Sequence, residues 1–185
     1  DDGRVSVVTE IQVGLSPEPG RIQLLEDGEP TLHPAKIVPL RDSDWRLAQV
    51  ICLDTSGSME GKPLAEIRAA IKNFLDSEYF RPEDQVALVA FETTPRLIQG
   101  FASPQGRHQN QMRQSLDELK WLRTQKTVLY DALAESLGHL QSLSMSGPAL
   151  RRILLISDGI DDGSKAGAGE VETHAKKSGV AIDVL

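Results

Sequence analysis

The 185-residue sequence has a single cysteine, Cys52. One thiol allows neither an intrachain disulfide nor a cysteine-based zinc site. Cys52 lies inside the apolar run VICL and reads as a small core residue. The lack of disulfides fits a reducing compartment and is also compatible with a bacterial periplasm or surface. No stretch reaches the roughly 18 apolar residues of a membrane-spanning helix. The opening DDGRVSVV lacks the pattern of a signal peptide, so the expectation is a removed leader or a piece of a longer protein. Basic side chains are in deficit: 20 Lys and Arg face 27 Asp and Glu, for a net charge of −7. That balance argues against nucleic acid or an anionic membrane as the main partner. The short clusters Arg151-Arg152 and Lys176-Lys177 read as solvated ends of elements. Internal repeats and low-complexity segments are missing too.

Hydrophobic residues make up 39% of the chain, enough for a globular fold with a real core. Two textures divide it. Residues 1–44 hold short Val- and Ile-rich runs, RVSVVTEIQV and RIQLLEDGEP, punctuated by Pro17, Pro19, Gly20 and an Asp27-Gly28 turn signal, with further extended pieces at AKIVPL. They read as a small β-rich element. Residues 45–185 alternate buried strands (RLAQVICLD, DQVALVAF, RRILLISD, VAIDVL) with amphipathic helices. Leu64, Ile67, Ile71, Phe74 and Leu75 share one helical face, as do Met112, Leu116 and Leu119, and then Leu129, Leu133, Leu137 and Leu140. The segment PRLIQGF reads as an edge strand, and Gly179 as a helix terminator. This pattern predicts an α/β fold: a doubly wound, mostly parallel Rossmann-like sheet with helices on both faces and a short antiparallel edge strand.

In such sheets ligands bind at the carboxyl ends of strands. Two strands end there in aspartate: Asp54 after VICL and Asp158 after ILLIS. The stretch VICLDTSGSMEGKP is not a phosphate loop. Gly57 and Gly61-Lys62 are one residue too close, and Pro63 has no hydroxyl for magnesium. No G-x-S-x-G elbow occurs, and the four histidines are scattered without ligand spacing. Asp54 as a phosphoryl acceptor with Asp158 as magnesium ligand remains an alternative, although Ser56 stands where a second acid is usual. A metal site uses more of the residues. Asp54, Ser56 and Ser58 alternate along one turn, so their oxygens can converge. Two carboxylates and several hydroxyls suit a hard divalent cation and leave it under-neutralised, ready for an acidic group from a partner.

The DTSGSM stretch resembles the D-x-S-x-S signature of the von Willebrand factor A domain, whose metal-ion-dependent adhesion site (MIDAS) occurs in integrin I domains and many bacterial proteins. The resemblance runs from about Arg46 to Leu185 and includes PEDQVALVAF, KTVLYDAL and ILLISDGIDD. By resemblance the metal residues are Asp54, Ser56, Ser58, Thr127 and Asp158, with the serines and Thr127 coordinating directly and the aspartates acting partly through water. Residues 45–185 would then be the domain, without the C-terminal helix the family usually carries. The stretch IQLLEDGEPTLHPAKIVPL ahead of it also resembles the small β element with an EDG turn that precedes the domain in some bacterial exported proteins. Departures from the family are Gln125 and Lys126, where small residues often precede the loop threonine. The paired acids of a second metal site are absent, so one ion is expected. Asp161 and Asp162 read as solvated loop acids.

The resemblance implies a non-enzymatic adhesion or scaffold module with no catalytic residues. It would hold Mg²⁺, with Mn²⁺ or Ca²⁺ also possible, and capture a protein partner's Asp or Glu. A periplasmic, extracellular or cell-surface location is favoured, with a cytoplasmic one left open. A subunit contact inside a larger ATPase or chelatase assembly is a further alternative, and the oligomeric state is left open.

Overall fold

The computed structural model describes residues 25–26, 29–30, 40–57, 59, 64–77, 79–120 and 126–185. The chain divides into two compact units, Asp1–Asp44 and Trp45–Leu185. In the first, β1 (Leu25–Glu26) pairs antiparallel with β2 (Glu29–Pro30). A 3₁₀ turn follows at Leu40–Asp42, and the Ser43 hydroxyl donates to Leu40 O at 2.7 Å. Leu40 therefore opens a turn and does not end an extended run. The rest of AKIVPL and all of RVSVVTEIQV lie outside the described residues.

The second unit runs β3 (Arg46–Asp54), α1 (Leu64–Asp76), β4 (Gln85–Phe91), β5 (Pro95–Ala102), α2 (Gly106–Glu118), α3 (Leu129–Ser142), β6 (Ala149–Ile156), α4 (Ala168–Ser178) and β7 (Val180–Val184). Five strands form one sheet in the order β5-β4-β3-β6-β7. All neighbours are parallel except β5, an antiparallel edge. The sheet is covered on both sides, which is why its strands read as unbroken apolar runs. Ala48, Val50 and Cys52 face α3 and α4, meeting Leu133, Leu137 and Ala175. The alternate residues Leu47, Ile51 and Leu53 face α1 and α2, meeting Ile71, Leu75, Met112 and Leu116. This is the doubly wound architecture read from the sequence.

One expectation is corrected. Arg151 and Arg152 are not a solvated element end but lie inside β6. Arg152 is 9% exposed and clamps the Asp183 carboxylate of β7 with bonds of 2.7–2.9 Å. Arg151 turns to the other face and donates to Leu140 O and Leu143 O, closing the C-terminus of α3. The strand's period of two splits the pair between two structural tasks. Lys176 and Lys177, in contrast, do sit in the last turn of α4, where a cation suits the helix dipole. At the amino edge of the sheet, buried Asp84 accepts the Leu47 and Arg81 N–H groups at 2.8 and 2.7 Å. The carboxyl edge is left for polar side chains.

Candidate metal centre

At the carboxyl edge, β3 ends at Asp54, and β6, its parallel neighbour, ends at Ile156, registered beside Leu53. Asp54 is 0% exposed. A carboxylate so buried needs hydrogen bonds, and each of its oxygens has one. The Ser56 N–H donates to Oδ1 at 2.8 Å and the Ser157 hydroxyl to Oδ2 at 2.7 Å. Ser157 also accepts the Gly159 N–H at 3.1 Å, closing a turn around Asp158. Gly159 has φ +83°, a conformation that glycine adopts without penalty, so the D-G pair is needed for the chain to reverse there.

Asp158 has the opposite surroundings. Among the described residues only three buried side-chain polar atoms have no hydrogen-bond partner: Arg68 Nε, Ser136 Oγ and Asp158 Oδ1. Asp158 Oδ1 is the one carboxylate oxygen of the three. Such an atom costs on the order of 1–3 kcal/mol, more when charged, unless something fills the gap. A cation is what a carboxylate oxygen with no donor would accept. Ser56 and Thr127, both buried, carry hydroxyls of the hard-oxygen type that Mg²⁺ prefers. Among the described residues no group of three or more His, Cys, Asp and Glu is placed to hold a metal. A site of two carboxylates plus hydroxyls needs no third acid, histidine or cysteine, and the donor chemistry fits a hard cation. Ser58 lies outside the described residues, as does Gln125.

Hydrogen bonds tie these loops into a ring. Thr55 reaches across to β4, its N–H and hydroxyl both donating to Phe91 O at 2.8 and 3.0 Å. The next carbonyl, Glu92 O, accepts the Val128 N–H at 2.8 Å. Thr127 O accepts the Asp162 N–H at 2.9 Å. Ser157, back along that segment, returns to Asp54. Four stretches of sequence, 54–55, 91–92, 127–128 and 157–162, are thereby joined at the sheet edge.

Thr127 does not cap its helix. The cap residue of α3 is Val128, which has no side-chain hydrogen bond to give. The cap comes from Asp161, whose Oδ1 accepts the Leu129 and Tyr130 N–H groups at 2.9 and 3.4 Å and the Ser164 hydroxyl at 2.5 Å. Partial burial works against that carboxylate's charge, but the bonds from the Ser164 hydroxyl and the Tyr130, Leu129 and Ser164 N–H groups prevail and hold its pKa below the ordinary value. The expectation of a solvated Asp161 is thus corrected. The sequence signal was available: a helix opening V-L-Y has no side chain of its own to cap it. Asp162 is exposed and enters only through its backbone. Lys126 is exposed, and a Cβ placed on Gly163 would lie 3.8 Å from its Cδ, so its stem runs against that loop.

The model of the von Willebrand factor type A domain family matches residues 49–160, more than half of the chain. Among solved structures, BatB from Bacteroides thetaiotaomicron is 19% identical with a TM-score of 0.59 over 75% of this chain and 65% of BatB. Proximal thread matrix protein 1 from the mussel byssus, with a zinc-occupied MIDAS motif, is 14% identical with a TM-score of 0.63 over 76% of this chain and 38% of that one. The pilus adhesin SpaC from Lactobacillus rhamnosus GG is 16% identical with a TM-score of 0.58, covering 76% and 24%. The chain therefore spans less than two thirds of the length of each. At these identities the likeness is one of fold. Curated proteins gave no match.

Proposed function

The chain belongs to the von Willebrand factor type A domain family, and from that premise we propose that its carboxyl-edge site holds one divalent cation and uses it to capture an acidic side chain of a protein partner. The observation that carries this reading is the buried, unpartnered Asp158 Oδ1, at a sheet edge that also holds the buried residues Ser56 and Thr127. Ser56, Ser58 and Thr127 would bind the cation through their hydroxyls, with Asp54 and Asp158 supplying the negative charge. Mg²⁺ is the proposed resident, and Mn²⁺ or Ca²⁺ would be accepted by the same oxygens. When bound, the cation supplies an electrophilic position for an incoming carboxylate. Around it, exposed Lys126 favours an acidic ligand, and Ile160, 58% exposed on the Asp158 loop, offers apolar contact.

Asp54 is poorly suited to phosphoryl transfer, since it is fully buried with both oxygens already accepting hydrogen bonds. A binding module at the cell surface or in the periplasm is supported by the adhesin and byssal proteins that share the fold. Within this reading residues 45–185 form the binding domain and residues 1–44 a separate small β element. The test is a pull-down in Mg²⁺ and in EDTA, with the wild-type chain and Asp54→Ala. Proteins retained by the wild type in Mg²⁺ should be lost in EDTA and with Asp54→Ala. Retention unchanged by both treatments contradicts the proposal.

A further inference from the structure

We propose that Asp161 is a positioning residue for the cation site: it fixes Thr127 relative to Asp158 by capping α3 from the loop that carries Asp158. This rests on the reading of the site given above and deepens it.

A helix leaves its first N–H groups without intrahelical partners. The local remedy is a Ser, Thr, Asp or Asn at the cap position. Here that position is Val128, and the first three N–H groups of α3 are met from residues 161–164 instead. Leu129 and Tyr130 donate to Asp161 Oδ1, and Asp131 N–H donates to Ser164 Oγ at 3.1 Å. The traffic also runs the other way. Asp131 Oδ1 accepts the Lys165 and Ala166 N–H groups at 2.9 and 2.8 Å, and Thr127 O accepts the Asp162 N–H. The carboxylate of Asp161 sits at the positive end of the α3 dipole, where its charge is favoured.

Thr127 is two residues ahead of Leu129, and Asp158 is three residues ahead of Asp161. The clamp thus joins the two segments within a few residues of the proposed ligands. A local cap would satisfy α3 equally well and leave the two loops untied. The remote cap therefore does something the helix alone does not require. Metal sites need their donors held to within fractions of an ångström, and groups that orient ligands carry a large share of the affinity.

The experiment is calorimetric titration of Mn²⁺ into the full chain, below the melting temperature of every variant. Asp161→Ala should weaken binding about 10- to 100-fold. Asp161→Asn, which keeps an acceptor oxygen, should recover most of the affinity. Ser164→Ala should weaken binding in the same direction by a smaller factor, and it decides the matter if Asp161→Ala does not fold. Asp84→Ala, at the opposite edge of the sheet, should lower the melting temperature and leave Mn²⁺ affinity at the wild-type value. Wild-type affinity in both Asp161→Ala and Ser164→Ala overturns the inference. So does equal weakening in Asp84→Ala, which would mark a merely structural effect. No Mn²⁺ binding by the wild type overturns the cation reading itself, and this inference with it.

Discussion

Asp54 and Asp158 are the same residue type at the same edge of the sheet, yet their surroundings treat them oppositely. Asp54 is given two donors, while Asp158 Oδ1 is given none. The sequence carried the residue types of this site openly, because D-T-S-G-S and I-S-D-G are local patterns. The missing local cap of α3 was legible in V-L-Y, but Asp161 as its supplier was not, because a loop acid looks the same in sequence whether it is solvated or caps a distant helix. Two residues before Asp54, Cys52 is wholly buried, and burial pushes its thiol up to about 12, eased by the neighbouring Ser136 hydroxyl and reinforced by the charges of Asp54 and Glu135. A thiol so shifted is protonated at neutral and mildly alkaline pH, and only the thiolate reacts. A disulfide-exchange reagent at pH 8 should therefore label Cys52 only in denaturant. Rapid labelling of the native chain would show that this part of the core opens readily.

The elements of the second unit were readable because each obeys a single period. The central strands are buried on both faces, and α3 repeats leucine at the spacing that faces the sheet. Charge within a strand broke the rule: Arg151-Arg152 looks like a boundary, and only the topology supplies Asp183 and the α3 carbonyls as partners. Helix ends were readable where backbone geometry demands a particular residue. Gly179 ends α4 with φ +64°, and its N–H bonds to the Ala175 and Lys176 carbonyls. A Cβ there would meet nothing within 4 Å. Gly179→Ala should thus cost about 1 kcal/mol from the left-handed backbone alone. In urea unfolding this appears as a lower midpoint with an unchanged slope. A loss of several kcal/mol would mean that Gly179 has a packing role as well.

At the scale of the molecule, the sheet order brings the segments of the candidate site together. β3 and β6 are about a hundred residues apart in sequence and adjacent in space, and the Val128 N–H joins the α3 segment to the end of β4. The central claim is that the protein tolerates an unpartnered buried carboxylate oxygen at Asp158 because a cation satisfies it. The direct measurement is urea unfolding of the wild type and Asp158→Ala, each in EDTA and in Mg²⁺. In EDTA the variant should be as stable as the wild type or more so, since it loses an uncompensated group and no hydrogen bond. In Mg²⁺ the wild type alone should gain stability, by about 2.7 kcal/mol when the ion is at a hundred times its dissociation constant. Equal responses of the two proteins to Mg²⁺, or a marked loss of stability in the variant in EDTA, would contradict the account.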